Sequence, residues 1–174
     1  MKYNMTILKK SIGMLALAWG IPSSMVAQNQ GSHLMIAMGG AYPRTLESTI
    51  SYEKEMLYHN AWEYFATYSI QYEEDPEAKH ITRKSFWHNH NTWGVGAVYK
   101  PCVGRGRNHH GSLRIGASAG SDFHKAIGAV HVGYEHTYNL YDGWSVFFAI
   151  KEDISIRGKD RFKTGINLGA KIPL

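Results

Sequence analysis

The chain has 174 residues, the size of one domain, and its 44% hydrophobic and 13% aromatic content is ample for a folded body. Lys2, Lys9 and Lys10 stand ahead of residue 28 with no acid among them, so the formal net charge of +5 falls to +2 for the remainder. A body that close to neutral gives no electrostatic case for direct nucleic-acid binding, and the single cysteine, Cys102, excludes an internal disulfide framework.

Residues 1–27 read as a secretory signal peptide: the lysines, an apolar run at 12–21 (IGMLALAWGI), then Pro22, small residues and Ala27 before Gln28. The run is too short to span a bilayer as a helix, which needs ~20 residues. Residues 28–174 are then one exported domain. After the expected cut no apolar run is long enough for a membrane helix, which excludes helical spans.

The remainder of the chain is strand-like. Residues 32–43 (SHLMIAMGGAYP) form the first stretch and 46–58 the second, with a tight turn expected at His59 and Asn60. Over 61–73, Trp62, Tyr64, Ala66, Tyr68, Ile70 and Tyr72 share one face against Glu63, Thr67, Ser69, Gln71 and Glu73, with Phe65 out of place. Residues 74–84 are polar and contain Pro76, so they read as a long loop. Alternation resumes over 91–99, pauses for a second long connection at 101–111 (PCVGRGRNHHG), and returns over 112–120 and 126–138. Asp142 and Gly143 are a strong hairpin signal. Residues 144–157 alternate again except at Glu152, which falls on the apolar face and demands either a bulge or a place near the rim. The last stretch, 161–174 (RFKTGINLGAKIPL), is strictly alternating.

These are eight strands of about the ~9–11 residues that cross a bilayer at a tilt. Their non-apolar faces are rich in Gly, Ser and Thr with a few charges of both signs, where a water-facing sheet would carry many Lys and Glu. The fold expected is all-β, an eight-stranded antiparallel up-and-down transmembrane β-barrel in the bacterial outer membrane. In its narrow lumen Glu63, Arg114, His131, Glu135, Lys151, Asp153 and Arg157 would pair, because unpaired buried charge is costly. A soluble sandwich or lipocalin-like barrel stays open, since alternation does not say which face meets water. An even strand number puts both termini in the periplasm, 74–84 outside, and a basic periplasmic connection at Lys100, Arg105 and Arg107. Asn167, Gly169, Ile172 and Leu174 match the terminal assembly signal of such barrels, although an aromatic residue more often ends it.

No constellation reads as catalytic. His80, His88 and His90 lack the partners of a metal site, and His109 with His110 reads as a solvated turn. Glu135 and His136 point to opposite faces of one strand, which defeats a base and its orienter; His131 and Glu135 do share a face, and lumen pairing accounts for them. There is no nucleophile elbow, phosphate loop or dinucleotide fingerprint, so no cofactor and no enzymatic activity are expected.

Four stretches carry a family resemblance: HLMIAMGG, WGVGAVYKP, GYEHTYNLYDGWSVFFAIKEDISI and FKTGINLGAKIPL. Across about residues 34–174 the chain resembles the TraO family of conjugative transposon proteins. The resemblance implies a non-catalytic outer-membrane barrel in a DNA-transfer apparatus, with outer-membrane lipid and other apparatus proteins as partners. A lipid-modifying barrel enzyme and a soluble periplasmic binding barrel are the alternatives.

Overall fold

A strand with one apolar and one polar face satisfies both only when a second surface covers one of them, and closing the sheet on itself does so without leaving an edge. The computed structural model describes residues 31–73, 89–156, 158 and 160–174. The expected signal peptide, the 74–84 loop, His80, His88 and Arg157 lie outside these. The strands are β1 Ser32–Tyr42, β2 Thr45–Glu55, β3 Ala61–Tyr72, β4 Asn89–Lys100, β5 Cys102–Arg105, β6 His109–Ser121, β7 Ala126–Asn139, β8 Ser145–Ile156 and β9 Phe162–Pro173. Chain neighbours other than β4 and β5 pair antiparallel, β1 also pairs with β9, and β4 pairs with β6, so the sheet closes. The short β5 continues the β4 stave beyond Pro101, whose missing N–H interrupts the ladder. The result is a closed eight-stranded antiparallel up-and-down barrel with both described ends at one rim.

Several local expectations need correction. The second stretch stops at Glu55, and a 3-10 turn at Leu57–His59, with Tyr58 and His59 in the left-handed region, replaces a two-residue turn at His59 and Asn60. The 101–111 segment is largely paired: β5 and the start of β6 form a hairpin in which Cys102 lies opposite Ser112 and Arg105 opposite His110. At the other hairpin Asp142 and Gly143 have φ of 58° and 79°, the sign that a tight turn between twisted strands requires. Glu152 needs no bulge, since the ladders on both sides of β8 run through it in unbroken register. It faces outward and accepts a hydrogen bond from Thr164 on β9. Phe65 is in place after all: it sits on the inward parity with Glu63 and Thr67, and its ring lies edge-on to His131 at 5.3 Å.

The apolar interior is small, a cluster of Met35, Ala37, Phe147 and Ala149. Large apolar side chains stand outside instead: Ile50 is 59% exposed, Ile115 51%, Ile150 47% and Ile166 56%. Outward aromatic residues gather towards the two rims, with Tyr68 opposite Trp93 at one and Trp62 against Tyr99, ring centroids 5.2 Å apart, at the other.

At the β4–β6 seam each inward pair holds at least one glycine, Gly94 with Gly120, Gly96 with Ser118 and Val98 with Gly116, and at Gly96, Gly116 and Gly120 nothing larger fits. A Cβ on Gly96 would lie 2.4 Å from the Ala117 carbonyl oxygen and 2.8 Å from the Phe65 ring, whereas one on Gly104 would meet nothing within 4 Å. Gly96→Val is therefore expected to lower the fraction of heat-modifiable, folded barrel on a cold SDS gel several-fold. Gly104→Val is expected to leave it at the parent level.

Candidate functional site

The lumen is where the chain spends its charge. β2, β3 and β7 each aim one carboxylate into the same layer, Glu53, Glu63 and Glu135, and β4, β6 and β9 aim Lys100, Arg114 and Lys171 at them. Lys100 donates to both Glu135 oxygens at 2.9 Å, lies 3.0 Å from Glu63 Oε2, and pairs with Glu53. Arg114 lies 2.8 Å from Glu63 and also pairs with Glu135. Lys171 lies 2.8 Å from Glu53 and 2.8 Å from Glu135, whose Oε1 also accepts from Thr137. Three carboxylates and three cations cancel. Each would cost several kcal/mol to bury alone, on the order that a removed partner exposes.

A second polar layer lies nearer the rim at which β4 begins. Lys151 pairs with Glu47 and lies 2.9 Å from Asp153 Oδ2, and Asn167 donates to Glu47 at 3.4 Å. Asp153 Oδ1 is 2.6 Å from His131 Nδ1, and His131 Nε2 is 2.7 Å from Ser118 Oγ. A cavity of about 90 Å³ beside these groups is also lined by His90, Thr92, Ser155 and Lys163, all near that rim. The adjoining turn is set by Asp122, whose Oδ1 accepts from the backbone N–H of Lys125 and of His124. Those bonds hold its carboxyl below the usual range.

Of the residues expected in the lumen, Glu63, Arg114, Glu135, His131, Lys151 and Asp153 all point inward, in these two layers. His131 and Glu135 share a face yet do not meet; each is taken by other partners. Lys100 is a correction: it is no part of a basic periplasmic connection but the most enclosed cation in the barrel, 1% exposed. Arg105 is exposed and committed to the neighbouring turn, donating to the Tyr58 carbonyl with its guanidinium 5.2 Å from that ring, while Arg107 is exposed in the hairpin turn. Glu47 and Glu53 join the lumen set beyond the residues expected there, and Lys171 enters it on the basic parity of the alternating last strand. Glu47 and Glu53 share a parity with Thr45, Thr49 and Ser51, and that alternation is the signal that could have found them.

In β9, Asn167 and Gly169 face inward and Ile172 outward, and Leu174 comes just after the strand, its N–H donating to the Ser32 carbonyl. A Cβ on Gly169 would fall 2.6 Å from the Phe147 ring, so a side chain there disturbs the lumen whatever else the ending does. His90 Nε2 lies 3.6 Å from Asp122 Oδ2 at the rim. Among the described residues no group of three or more His, Cys, Asp or Glu is placed to hold a metal ion.

The architecture is similar to that of solved outer-membrane barrels. A major outer membrane protein from Thermus thermophilus superposes with a TM-score of 0.51 at 10% identity, over 84% of this chain and all of that one. The Yersinia pestis outer membrane protein Ail in a phospholipid bilayer nanodisc gives 0.52 at 11%, over 83% of this chain and all of that one. A de novo designed transmembrane β-barrel gives 0.50 at 9%, over 85% and 100%. At these identities the likeness is one of fold. No protein-family model and no curated protein sequence matches the chain.

Removing one partner from the neutral layer strands the others. Lys100→Met is expected to destabilise the barrel by ~3–5 kcal/mol, read as a shift of the urea unfolding midpoint in detergent micelles. Arg107→Met, in the exposed turn, is expected to stay within ~0.5 kcal/mol of the parent.

Proposed function

We propose that this chain is an outer-membrane β-barrel that serves as a structural component of a conjugative DNA-transfer apparatus and not as an open pore. The observation that carries the membrane part is the inversion of its faces. Isoleucines and valines ring the outside between two aromatic belts, and carboxylates, lysines and an arginine fill the inside. An exterior so apolar is what a lipid-facing wall needs and what a water-facing one avoids. The crossed salt bridges of the lumen leave little room for a conducting path in a barrel of eight strands.

The transfer role rests on the TraO resemblance, spread over β1, β4, the β7–β8 hairpin and β9. Residues 1–27 would direct export as a cleaved signal, and both rims then have sides. The β2–β3 turn, the β5–β6 hairpin with Arg105 and Arg107, and the Asp142–Gly143 turn face the periplasm; the connection after β3 faces outward. Partners on this reading are outer-membrane lipid and other proteins of the apparatus, with no direct nucleic acid.

Asn167, Gly169, Ile172 and Leu174 would be the assembly signal of the closing strand. Ile172→Asp is the informative variant, because its side chain leaves the lumen untouched. Outer-membrane insertion should drop several-fold by fractionation while the exported, processed chain still accumulates in the periplasm. Equal insertion of variant and parent would remove the signal assignment.

Deleting the gene should lower mating frequency at least tenfold, with restoration by the wild-type gene in trans. Normal transfer by the deletion strain would overturn the conjugation role, and a carbonate-soluble protein without a heat-dependent gel shift would overturn the membrane reading in favour of a soluble periplasmic barrel.

A further inference from the structure

The register of three adjacent strands does something that no lumen-filling role asks of it. On β6, β7 and β8 it lines up a hydroxyl, an imidazole and a carboxylate in series, with Ser118 Oγ 2.7 Å from His131 Nε2 and His131 Nδ1 2.6 Å from Asp153 Oδ1. His131 lies directly opposite Asp153 in the β7–β8 ladder, and Ser118 sits two residues along β6 from Gly116, the residue opposite His131 on that side. An ionised carboxylate only accepts, so Nδ1 carries the proton and Nε2 is left to accept from the serine hydroxyl. That tautomer is the one a general base for serine requires. Phe65 closes on the imidazole edge-on at 5.3 Å, and Lys151 holds the other Asp153 oxygen at 2.9 Å, so base and orienter are both fixed.

We propose that Ser118, His131 and Asp153 form a serine-hydrolase triad acting on short-chain carboxylic esters that enter from the rim at which β4 begins. The cavity of about 90 Å³ beside the triad suits a small acyl group, since its walls include Ser118, Gly94 and Gly120. Lys163 and His90 line it too. Lys163 has no hydrogen-bond or ion-pair partner among the described residues and is available to the oxyanion, while His90 Nε2 faces Asp122 Oδ2 at 3.6 Å.

Ser118 Oγ attacks the acyl carbon as its proton passes to His131 Nε2. The carbon–oxygen bond to the alcohol breaks and that proton leaves with the alcohol. Water then attacks the acyl-serine, gives its proton to Nε2, and the carboxylic acid departs as Oγ is reprotonated. Ester and water become acid and alcohol, with no other reactant. This activity goes beyond the structural role proposed above and departs from the expectation of a non-catalytic barrel; neither depends on the other.

The full-length protein, folded in detergent and checked by its heat-dependent gel shift, is incubated with a fluorophosphonate probe and separately with 4-nitrophenyl acetate. The expected result is a probe adduct located on Ser118 by mass spectrometry, and ester hydrolysis that falls at least ~100-fold in Ser118→Ala and in Asp153→Asn, as loss of a triad member implies. Ser48→Ala, on the exposed outer face of β2 and outside the cavity, should label and hydrolyse like the parent. A folded parent that takes up no more probe than Ser118→Ala, or an adduct on any other residue, would reduce the three to lumen filling and overturn the proposal. Failure here with transfer still lost on gene deletion would leave the structural role intact.

Discussion

The structure turns on Lys100. Its ammonium, enclosed by the barrel wall, meets Glu53 from β2, Glu63 from β3 and Glu135 from β7, strands on opposite sides of the ring. Eight strands enclose a space that side chains must fill, and in this barrel few of those side chains are apolar. Lys100 answers the resulting problem of three carboxylates in one layer, with Arg114 and Lys171 supplying the remaining positive charge. No member of the set is optional, because the energy of a buried pair lies less in its formation than in the penalty for leaving one half alone.

A division of labour between the two faces results. Ile36, Ile50, Ile115, Ile150 and Leu168 form the apolar outer face, and on the proposed membrane reading their burial in lipid would supply favourable transfer that the inner face, built from glycine, serine, threonine and salt bridges, does not. Apolar packing inside is limited to the cluster of Met35, Ala37, Phe147 and Ala149 with a few further side chains such as Val98 and Phe65. The usual arrangement of a soluble domain is turned inside out, and the same period-2 alternation serves both, which is why the pattern alone leaves sandwich and membrane barrel unresolved.

The eight staves were legible because each has one clear parity, and the long β3 and β9 showed it best. Lys100 was misplaced for a specific reason. It precedes Pro101, and taking the proline as the start of a loop drew its neighbour into that loop, although Lys100 shares the parity of Gly94, Gly96 and Val98. Glu47 and Glu53 were legible on the same rule. The meeting of Ser118, His131 and Asp153 was not, because it depends on which residues of three strands lie opposite one another. That is set by the 122–125 turn and by the hairpin at Asp142 and Gly143, and alternation is blind to it.

Register is therefore the quantity that alternation under-determines, and the lumen charges supply what it lacks. A slip of one residue between strands would turn Glu53, Lys100 or Glu135 onto the apolar outer face, so the apolar pattern by itself forbids it. A slip of two residues keeps every face correct and the outer wall just as apolar. It would, however, carry Lys100 ~6.6 Å along the strand, two steps of ~3.3 Å, out of reach of carboxylates now about 3 Å away. The outward residues make the wall apolar without choosing among such registers. The neutral layer chooses, since only one pairing of staves brings three acids and three cations together, and the same choice sets the serine, imidazole and carboxylate side by side.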